Sequence, residues 1–357
     1  MPVDYQIFDL AGPHYDLGLA QGARTERFSI PAWWPAPPPL DFAQDCAKQI
    51  AEIHAPLLDE LRGYADAQGL SFDDVLRGVC RRSMRMRARA APQLAVPQLA
   101  APHLAPAPHL APPTYPEGGC SSFALVGADG HVRAGRNYDF HPVQQVRQRL
   151  RLRPEQGHPS VGMRGSVPGG RYDGVNDAGL FICLHVALSD EPATPRPGVP
   201  FHLLPRLVLE TCANTHQAVD LLTRVRHLHP FNYLIADASG ELAVVEAHPE
   251  AVRVVQSGAD FVAATNHYRH PDVARYQHGR RLTHSQGRLA ALFAQAAELR
   301  QSGDITPALA NHASGVCGHA GGHTTLWSLK TDLTARTISY ARGAPCETMW
   351  EAVAWPN

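Results

Sequence analysis

The chain has 357 residues, of which 44% are hydrophobic and 18% are charged, and its formal net charge at pH 7 is -1. This composition is typical of a globular protein with a substantial core and excludes a disordered or fibrous chain. The balanced charge gives no sign of a nucleic-acid partner. Five arginines in residues 81–90 are a local exception, and we interpret them as a solvated helix end.

The cysteines predict a reducing environment. Their number is odd and they are widely spread, which argues against a disulfide framework. The N-terminal sequence MPVDYQIFDLAG lacks the features of a secretory signal, and no stretch approaches the ~20 apolar residues of a membrane span. We therefore expect a cytoplasmic protein without a membrane span. The seven cysteines are Cys46, Cys80, Cys120, Cys183, Cys212, Cys317 and Cys346.

Residues 41–89 have the apolar spacing of helices. Gly69 is expected to end one helix, and Ser71 to begin the next with Asp74 in the capping-box position. Residues 91–113 then repeat a Pro-(Gln/His)-Leu-Ala unit. Repeated prolines favour extended backbone, so residues 91–116 are predicted to form a semi-rigid exposed linker. We favour a simple tether over a ligand for an SH3-type domain.

After Cys120 the sequence predicts many short strands with two helical blocks, at residues 201–225 and 280–300. Strands interrupted by helices indicate an α+β protein with layered sheets and helices. The strand-like runs are residues 121–127, 131–140, 179–188, 232–237, 241–247, 259–266, 325–332 and 336–343.

Cys120 follows two glycines in the sequence EGGCSSF. A thiol becomes a nucleophile when a base removes its proton, yet no histidine, lysine or acid is adjacent. Cleavage of the Gly119–Cys120 bond would supply an α-amino group with a pKa of about 7.7–8.0. Gly118 and Gly119 would allow a strained presentation of the scissile carbonyl. The pieces would be residues 1–119 and 120–357.

The start GCSSFALV and the segment GRNYDF (residues 135–140) resemble the N-terminal nucleophile hydrolases related to acyl-coenzyme A:6-aminopenicillanic acid acyltransferase. Conjugated bile acid hydrolases and acid ceramidase are more distant relatives. In that family an Arg and an Asp follow the first Cys at offsets of 16 and 19 residues, which Arg136 and Asp139 match. Further similar segments occur in family order at residues 12–30, 173–182, 232–246, 264–268 and 325–347.

The resemblance implies a four-layer αββα sandwich made as an inactive precursor. Cleavage at Gly119–Cys120 would leave a helical segment 1–119, including the linker, and a catalytic segment 120–357. The two would remain associated as a heterodimer within one domain, and a higher oligomer is left open.

The resemblance, together with the chemistry, also implies roles for the site residues. Cys120 would be the nucleophile, Asp139 would hold its new α-ammonium group, and Arg136 would lower the thiol pKa. Asn266 would donate its side-chain amide to the oxyanion. Taken alone, Arg136 and Asp139 would more readily be interpreted as a structural ion pair.

Four residues are candidates for supporting roles around the site: Asn176, His185, Asn232 and His267. The bile acid hydrolases have a second oxyanion asparagine where this chain has Val186, preceded by His185, so a backbone N–H would have to serve instead. Asn266 could also be a turn residue, with His267 a hydrogen-bonded imidazole beside it. We interpret Cys46, Cys80, Cys183 and Cys212 as buried apolar residues.

The sequence predicts no metal and no cofactor. Among 20 histidines there is no HExxH, and no CxxC pair occurs. The nearest cluster is Cys317, His319 and His323 in CGHAGGH, a glycine-rich loop. Serine-hydrolase, P-loop and dinucleotide motifs are also missing from the sequence.

The function implied is transfer of an acyl group from a linear amide or an acyl thioester such as acyl-coenzyme A. It would pass through a Cys120 thioester to water or to an amine, and the named residues do not separate hydrolase from acyltransferase. Two alternatives remain at this point. One is an unprocessed, non-catalytic scaffold or binding protein, and the other is a cysteine peptidase.

Overall fold

A computed structural model describes residues 5–26, 28, 38–88, 119–140, 147–187, 189, 195–277, 282–319 and 324–357. The predicted linker at residues 91–116 lies outside these residues, as do Gly118 and His323.

The described residues of the N-terminal segment form one strand and four helices: β1 (Gln6–Gly12), α1 (His14–Arg24), α2 (Leu40–His54), α3 (Pro56–Gln68) and α4 (Phe72–Ala88). The helical prediction for this region is confirmed. Gly69 ends α3 in the left-handed conformation, with φ of 62°. The Asp74 backbone N–H donates to Ser71 Oγ at 3.1 Å, which confirms the predicted start of α4.

The rest of the chain alternates strands and helices. Its strands are β2 (Ser121–Val126), β3 (Val132–Phe140), β4 (Gln148–Pro154), β5 (Ser160–Met163), β6 (Asp173–Asn176), β7 (Leu180–Val186), β8 (Phe231–Asp237), β9 (Leu242–His248), β10 (Ala251–Ser257), β11 (Phe261–Ala264), β12 (Thr324–Asp332), β13 (Thr337–Ala341) and β14 (Trp350–Val353). Its α-helices are α5 (Leu203–Thr211), α6 (Thr215–Arg224), α7 (Pro271–Ala274), α8 (Thr283–Ala294), α9 (Ala296–Ser302) and α10 (Thr306–Leu309).

The strands form two sheets. The larger has the order β1-β4-β5-β6-β7-β8-β9-β10, and the smaller has the order β11-β2-β3-β12-β13-β14. β1 pairs in parallel with β4, with Gln6 opposite Gln148, so the N-terminal segment supplies an edge strand of the larger sheet. The other pairs of named strands are antiparallel.

Side-chain alternation along β2 determines how the layers stack. Ala124 belongs to the core between the two sheets, whereas Phe123 and Leu125 pack with Leu289 of α8 and Leu309 of α10. On the other side, α5 and α6 cover the larger sheet. The layers therefore run helix, sheet, sheet, helix, which confirms the predicted αββα architecture.

All eight predicted strand regions contain strands, and both helical blocks contain helices. The six strands that the sequence did not reveal are β1, β4, β5, β6, β10 and β14. Within the described ranges, no helix is both long and apolar enough to cross a membrane.

A buried ion cluster joins the two parts of the chain and gives a test of the fold. Arg206 on α5 places Nη2 2.8 Å from Glu60 Oε2 on α3 and 2.9 Å from Glu210 Oε1. Because Arg206→Ala leaves two buried carboxylates without this cation, we expect a stability loss of about 3–5 kcal/mol. Urea unfolding of the variant would measure it. Arg224→Ala is the control, since its pair with Asp220 is exposed and is expected to contribute less than about 1 kcal/mol. Equal losses in the two variants would contradict the prediction.

Candidate functional site

The β2–β3 hairpin brings Cys120 to the end of β3. Ser122 lies opposite Arg136 and Ser121 lies opposite Asn137, so Cys120 comes alongside the last residues of β3. Its Sγ is 3.8 Å from the backbone oxygen of Asp139. The residue is only 3% exposed in the uncut chain. Cys120 and Asp139, matched by spacing in the sequence, are thus neighbours in the fold.

Arg136 extends from β3 into the core between the sheets. Its Nη1 lies 3.1 Å from Asp173 Oδ2 on β6, and its Nη2 donates to the Leu184 carbonyl at 2.9 Å. Nη1 also donates to the Tyr172 carbonyl. The ion pair of Arg136 is therefore with Asp173, a residue that the sequence analysis missed, and it joins the two sheets.

The thiol of Cys120 is on the Arg136 face of the hairpin, because Cys120 and Ser122 are two residues apart on one strand path. Burial raises the pKa of the thiol, and the Arg136 charge lowers it by less. The predicted influence of Arg136 has the expected sign, but desolvation outweighs it in the uncut chain. Cys120 is therefore a neutral thiol near pH 7 until a base comes close.

The Asp139 carboxyl lies against Gly119 on the other face of β3. Its Oδ1 accepts a hydrogen bond from Thr325 Oγ1 at 2.7 Å on β12. Burial raises the pKa of Asp139 to about 7, although the Thr325 hydrogen bond and the charges of Arg288 and Arg136 act in the opposite direction. A carboxyl group that titrates near neutrality can either donate or accept a proton there.

A glycine is required at position 119 because the side chain of Asp139 approaches it closely. A Cβ at this position would lie 2.6 Å from Asp139 Cβ and 3.0 Å from Asp139 Oδ2, distances that need a shift of the neighbouring carboxylate. What the glycine at position 119 provides is room for the Asp139 carboxylate.

Arg288 on α8 holds the peptide bond between Gly119 and Cys120. Its Nη1 is 2.6 Å from both the Gly119 and the Cys120 carbonyl oxygens and 2.7 Å from Ser121 Oγ. The side chain is fully buried. A guanidinium group therefore contacts the carbonyl oxygen of the bond that the sequence analysis identified as scissile.

Asn266 follows β11 and is connected to the same arginine. Its Oδ1 accepts from Arg288 Nη2 at 2.9 Å, and its Nδ2 donates to the Val186 carbonyl at 2.9 Å. The structure thus places Asn266 one side chain away from Gly119 and Cys120. Val186 contributes its backbone carbonyl oxygen to Asn266.

Two of the four supporting candidates position Asn266. Asn232 on β8 donates from Nδ2 to the carbonyls of Thr265 and His267, both at 2.9 Å. His267 Nδ1 is 2.8 Å from Ser285 Oγ on α8, and Ser285 Oγ accepts from the Asn266 backbone N–H. Burial, together with the charges of Arg269 and Arg288, lowers the pKa of His267 to about 4, so its ring is neutral.

Of the other two candidates, His185 lies near Arg136, whereas Asn176 lies away from the site. Burial and the Arg136 charge hold the pKa of His185 well below its usual range, which places a neutral imidazole near Arg136. Asn176 is not brought to the site. Its Nδ2 donates to the Leu209 and Cys212 carbonyls at 3.0 and 2.7 Å, and its Oδ1 accepts from the Leu180 N–H. Asn176 therefore holds the β6–β7 turn against the end of α5.

Sequence reasoning missed Arg288, Asp173 and Thr325. Arg288 did carry a signal, since it occupies the buried stripe of α8 with Ser285, Leu289 and Leu292. A charged residue on such a stripe is rarely buried without a partner. Asp173 begins the DGVNDAG segment, but the sequence does not indicate that it pairs with Arg136.

The two facing sheets between helical layers have the αββα arrangement of the N-terminal nucleophile hydrolase fold, and Cys120 lies directly before β2. The chain belongs to the acyl-coenzyme A:6-aminopenicillanic acid acyl-transferase family, whose model matches residues 127–347. The match includes Arg136, Asp139, Asn266 and Arg288 and begins after Cys120. The predicted family is confirmed.

Solved structures with a similar fold are distant in sequence. The Caenorhabditis elegans ortholog of N-acylethanolamine-hydrolyzing acid amidase is 18% identical, covering 60% of this chain and 93% of its own, with a TM-score of 0.47. Penicillin V acylase from Agrobacterium tumefaciens is 18% identical, with coverages of 62% and 83% and a TM-score of 0.44. A variant of conjugated bile acid hydrolase from Clostridium perfringens is 14% identical, with coverages of 66% and 97% and a TM-score of 0.46. No curated protein sequence matches this chain significantly.

The raised pKa of Asp139 predicts a pH dependence of stability. The folded-state pKa of about 7 exceeds the ordinary value of 3.8, so the folded chain binds this proton more tightly than the unfolded chain. The resulting stabilisation is complete below pH 3.8 and is lost as the pH rises to 7. The difference between the folded and unfolded pKa values of Asp139 corresponds to a stabilisation of roughly 4 kcal/mol.

Urea unfolding of uncut Cys120→Ala at about pH 5 and about pH 8 would measure this loss. Adding Asp139→Asn should flatten it, because the amide does not titrate. Asp220→Asn removes an exposed carboxylate and should leave the pH dependence unchanged. An unaltered slope in the Asp139→Asn protein would contradict the buried, titrating Asp139.

Proposed function

We propose that this enzyme cleaves its own Gly119–Cys120 bond and then transfers acyl groups through the Cys120 thiol. The observation that carries the proposal is the contact of Arg288 with the Gly119 carbonyl oxygen, 2.6 Å away, beside the Cys120 thiol. An electrophilic carbonyl, a nucleophile and a fixed cation are thus present at one bond.

Self-cleavage would begin with attack of Cys120 Sγ on the carbonyl carbon of Gly119. An S–C bond forms, the C–N bond breaks, and the thiol proton ends on the nitrogen of Cys120. Water then hydrolyses the thioester, which leaves a carboxylate on Gly119 and restores the thiol. Negative charge develops on the Gly119 oxygen in both steps, and Arg288 is already placed to stabilise it.

Asp139 would move the proton in this reaction. Its carboxyl lies against Gly119 and has a pKa of about 7, so both protonation states are populated near neutrality. In the first step it can protonate the departing nitrogen of Cys120. After cleavage the same carboxylate would accept a hydrogen bond from the new α-ammonium group.

In the mature enzyme the α-amino group of Cys120 would take the proton of its own thiol. The thiolate would attack the acyl carbon of a linear amide or an acyl thioester such as acyl-coenzyme A, forming a thioester. Asn266 Nδ2 would stabilise the oxyanion with the N–H that does not bind Val186. Water or an amine would then accept the acyl group.

The two pieces are proposed to stay together as a heterodimer within one domain. β1 of segment 1–119 pairs with β4 of segment 120–357 over seven residue pairs. Glu60 and Arg206 form a buried ion pair across the same division.

All seven cysteines are free, which supports a reducing, cytoplasmic compartment.

Intact-mass analysis tests self-cleavage. Purified wild-type protein is expected as two pieces, residues 1–119 and residues 120–357, whereas Cys120→Ala stays whole because it lacks the nucleophile. Arg288→Ala is expected to cleave about 10²–10³-fold more slowly. Arg253→Ala removes an exposed partner of Asp272 and should cleave at the wild-type rate.

Circular dichroism of each variant would separate slow cleavage from misfolding. Wild-type protein that remains whole after long incubation in reducing buffer would exclude the mechanism and favour the scaffold alternative. Cleavage of Cys120→Ala at the wild-type rate would show that another group attacks the bond.

An assay with acyl-coenzyme A and an added amine distinguishes a hydrolase from an acyltransferase. Cleaved wild-type protein should consume acyl-coenzyme A and form an acylated Cys120. If the enzyme is an acyltransferase, an added amine should raise the rate and appear in the product. If it is a hydrolase, the rate should not depend on the amine, and linear acyl amides should also be hydrolysed. No turnover of either substrate class by cleaved protein would contradict the proposed reaction.

A further inference from the structure

Two cysteines and two histidines converge near the active site without belonging to it. His312, Cys317 and His319 come from the segment between α10 and β12, and Cys346 comes from the segment between β13 and β14. One potential ligand atom from each of the four lies within 4.8 Å of the others.

The distances between these atoms have the size of a small coordination shell. Cys317 Sγ is 3.6 Å from Cys346 Sγ, and His319 Nε2 is 3.3 Å from Cys317 Sγ and 3.0 Å from Cys346 Sγ. In a tetrahedral zinc site, with Zn–S about 2.3 Å and Zn–N about 2.0–2.1 Å, neighbouring ligand atoms are roughly 3.3–3.8 Å apart. These three ligand atoms therefore need little adjustment to surround one ion, and the potential ligand atom of His312 lies within 4.8 Å of them.

We propose that His312, Cys317, His319 and Cys346 bind one zinc ion. Two thiolates and two imidazoles are the ligand set of structural zinc sites, and four protein ligands close the coordination shell. The other ring nitrogen of His319, Nδ1, lies 3.5 Å from Glu347 Oε1. A carboxylate at that nitrogen orients the ring and favours the tautomer that presents Nε2 to a metal.

A disulfide is a poorer explanation of this cluster. The two sulfur atoms are 3.6 Å apart, compared with about 2.05 Å in a disulfide, and both cysteines are free. A disulfide would also leave the convergence of two histidines without a purpose.

A second group of possible ligands provides an internal comparison. His14, His54 and Glu210 also approach one another, but Glu210 receives hydrogen bonds from Arg206 on both of its oxygens, at 3.0 and 2.9 Å. A guanidinium cation there already neutralises the carboxylate and would repel a metal ion. Of the two groups of possible ligands in the described part of the chain, we therefore expect only the cysteine cluster to bind zinc.

The position of the cluster suggests what the ion does. Asn137 Nδ2 on β3 donates to the Val316 carbonyl at 2.8 Å, and the Gly318 N–H donates to Thr325 Oγ1 at 2.9 Å. A Cβ at Gly318 would lie 2.8 Å from Asp139 Oδ2. The segment between His312 and His319 thus forms one wall beside Asp139, and zinc would fix that wall by joining it to Cys346.

This proposal departs from the expectation of no metal. The sequence drew attention to Cys317, His319 and His323, of which His323 lies outside the described residues. His312 and Cys346 complete the set only in the folded chain.

The first test is metal content. Full-length wild-type protein is first reduced, then incubated with zinc chloride and dialysed. Inductively coupled plasma mass spectrometry should then find one zinc ion per chain. Cys317→Ser/Cys346→Ser should lose it, whereas Cys212→Ser, which removes a buried cysteine outside the cluster, and His54→Ala should keep it. With cobalt(II) in place of zinc, wild-type protein should show thiolate-to-cobalt charge-transfer bands and the visible bands of tetrahedral cobalt.

The second test is thermal unfolding of the same proteins. Zinc should raise the melting temperature of the wild type and a chelator should lower it, while neither changes that of the double serine variant. Wild-type protein without bound zinc, or a cobalt complex without thiolate bands, would overturn the proposal. Loss of zinc from His54→Ala with retention in the double variant would move the site elsewhere and would also overturn it. If the double variant does not fold, the zinc content and cobalt spectrum of the wild type decide alone.

Discussion

The ion pair between Arg136 and Asp173 joins the two sheets beside Cys120. Both side chains are fully buried, and burying two charges is costly unless other groups complete their hydrogen bonding. Here Trp327 Nε1 donates to Asp173 Oδ2 at 2.9 Å, and the Tyr340 hydroxyl donates to Oδ1 at 3.2 Å. These hydrogen bonds to Asp173, like its ion pair with Arg136, form only when both sheets are correctly aligned. The same alignment determines how deeply the Cys120 thiol is buried. Both the fold and the site therefore depend on the contact between Arg136 and Asp173.

A second buried guanidinium, that of Arg288, gives the site its asymmetry. Arg136 lies on the face turned to the larger sheet, whereas Arg288 reaches the Gly119 and Cys120 carbonyls from α8. The thiol and the carbonyl it would attack thus have separate cations, each held by its own partners. Asp139 is a third element, because its carboxyl is neither paired with Arg136 nor exposed to water. This separation allows a neutral thiol and a titrating carboxyl to exist beside two permanent charges.

The sequence predicted the parts of this arrangement that depend on local spacing. GRNYDF is a strand whose residues alternate, so its offset from Cys120 determines where Arg136 and Asp139 lie once β2 and β3 pair. Residues whose partners come from distant elements were not predictable in this way. Arg288 is an ordinary residue of an amphipathic helix until α8 packs on β2, and nothing in a linear pattern links Cys346 to His312. β4 has the strict alternation of a half-buried strand, a signal that the sequence analysis overlooked, whereas β10 was missed because its residues are half-buried or exposed.

The parallel pairing of β1 with β4 has a consequence for how the enzyme can be made. β4 is followed in the sheet by β5 on one side and depends on β1 on the other. Residues 120–357 synthesised without residues 6–12 would present an open row of backbone N–H and C=O groups along residues 148–154, which favours intermolecular strand addition. In the whole chain, β1 covers this edge of β4. Making the enzyme as a single chain delivers that cover at the moment the sheet forms.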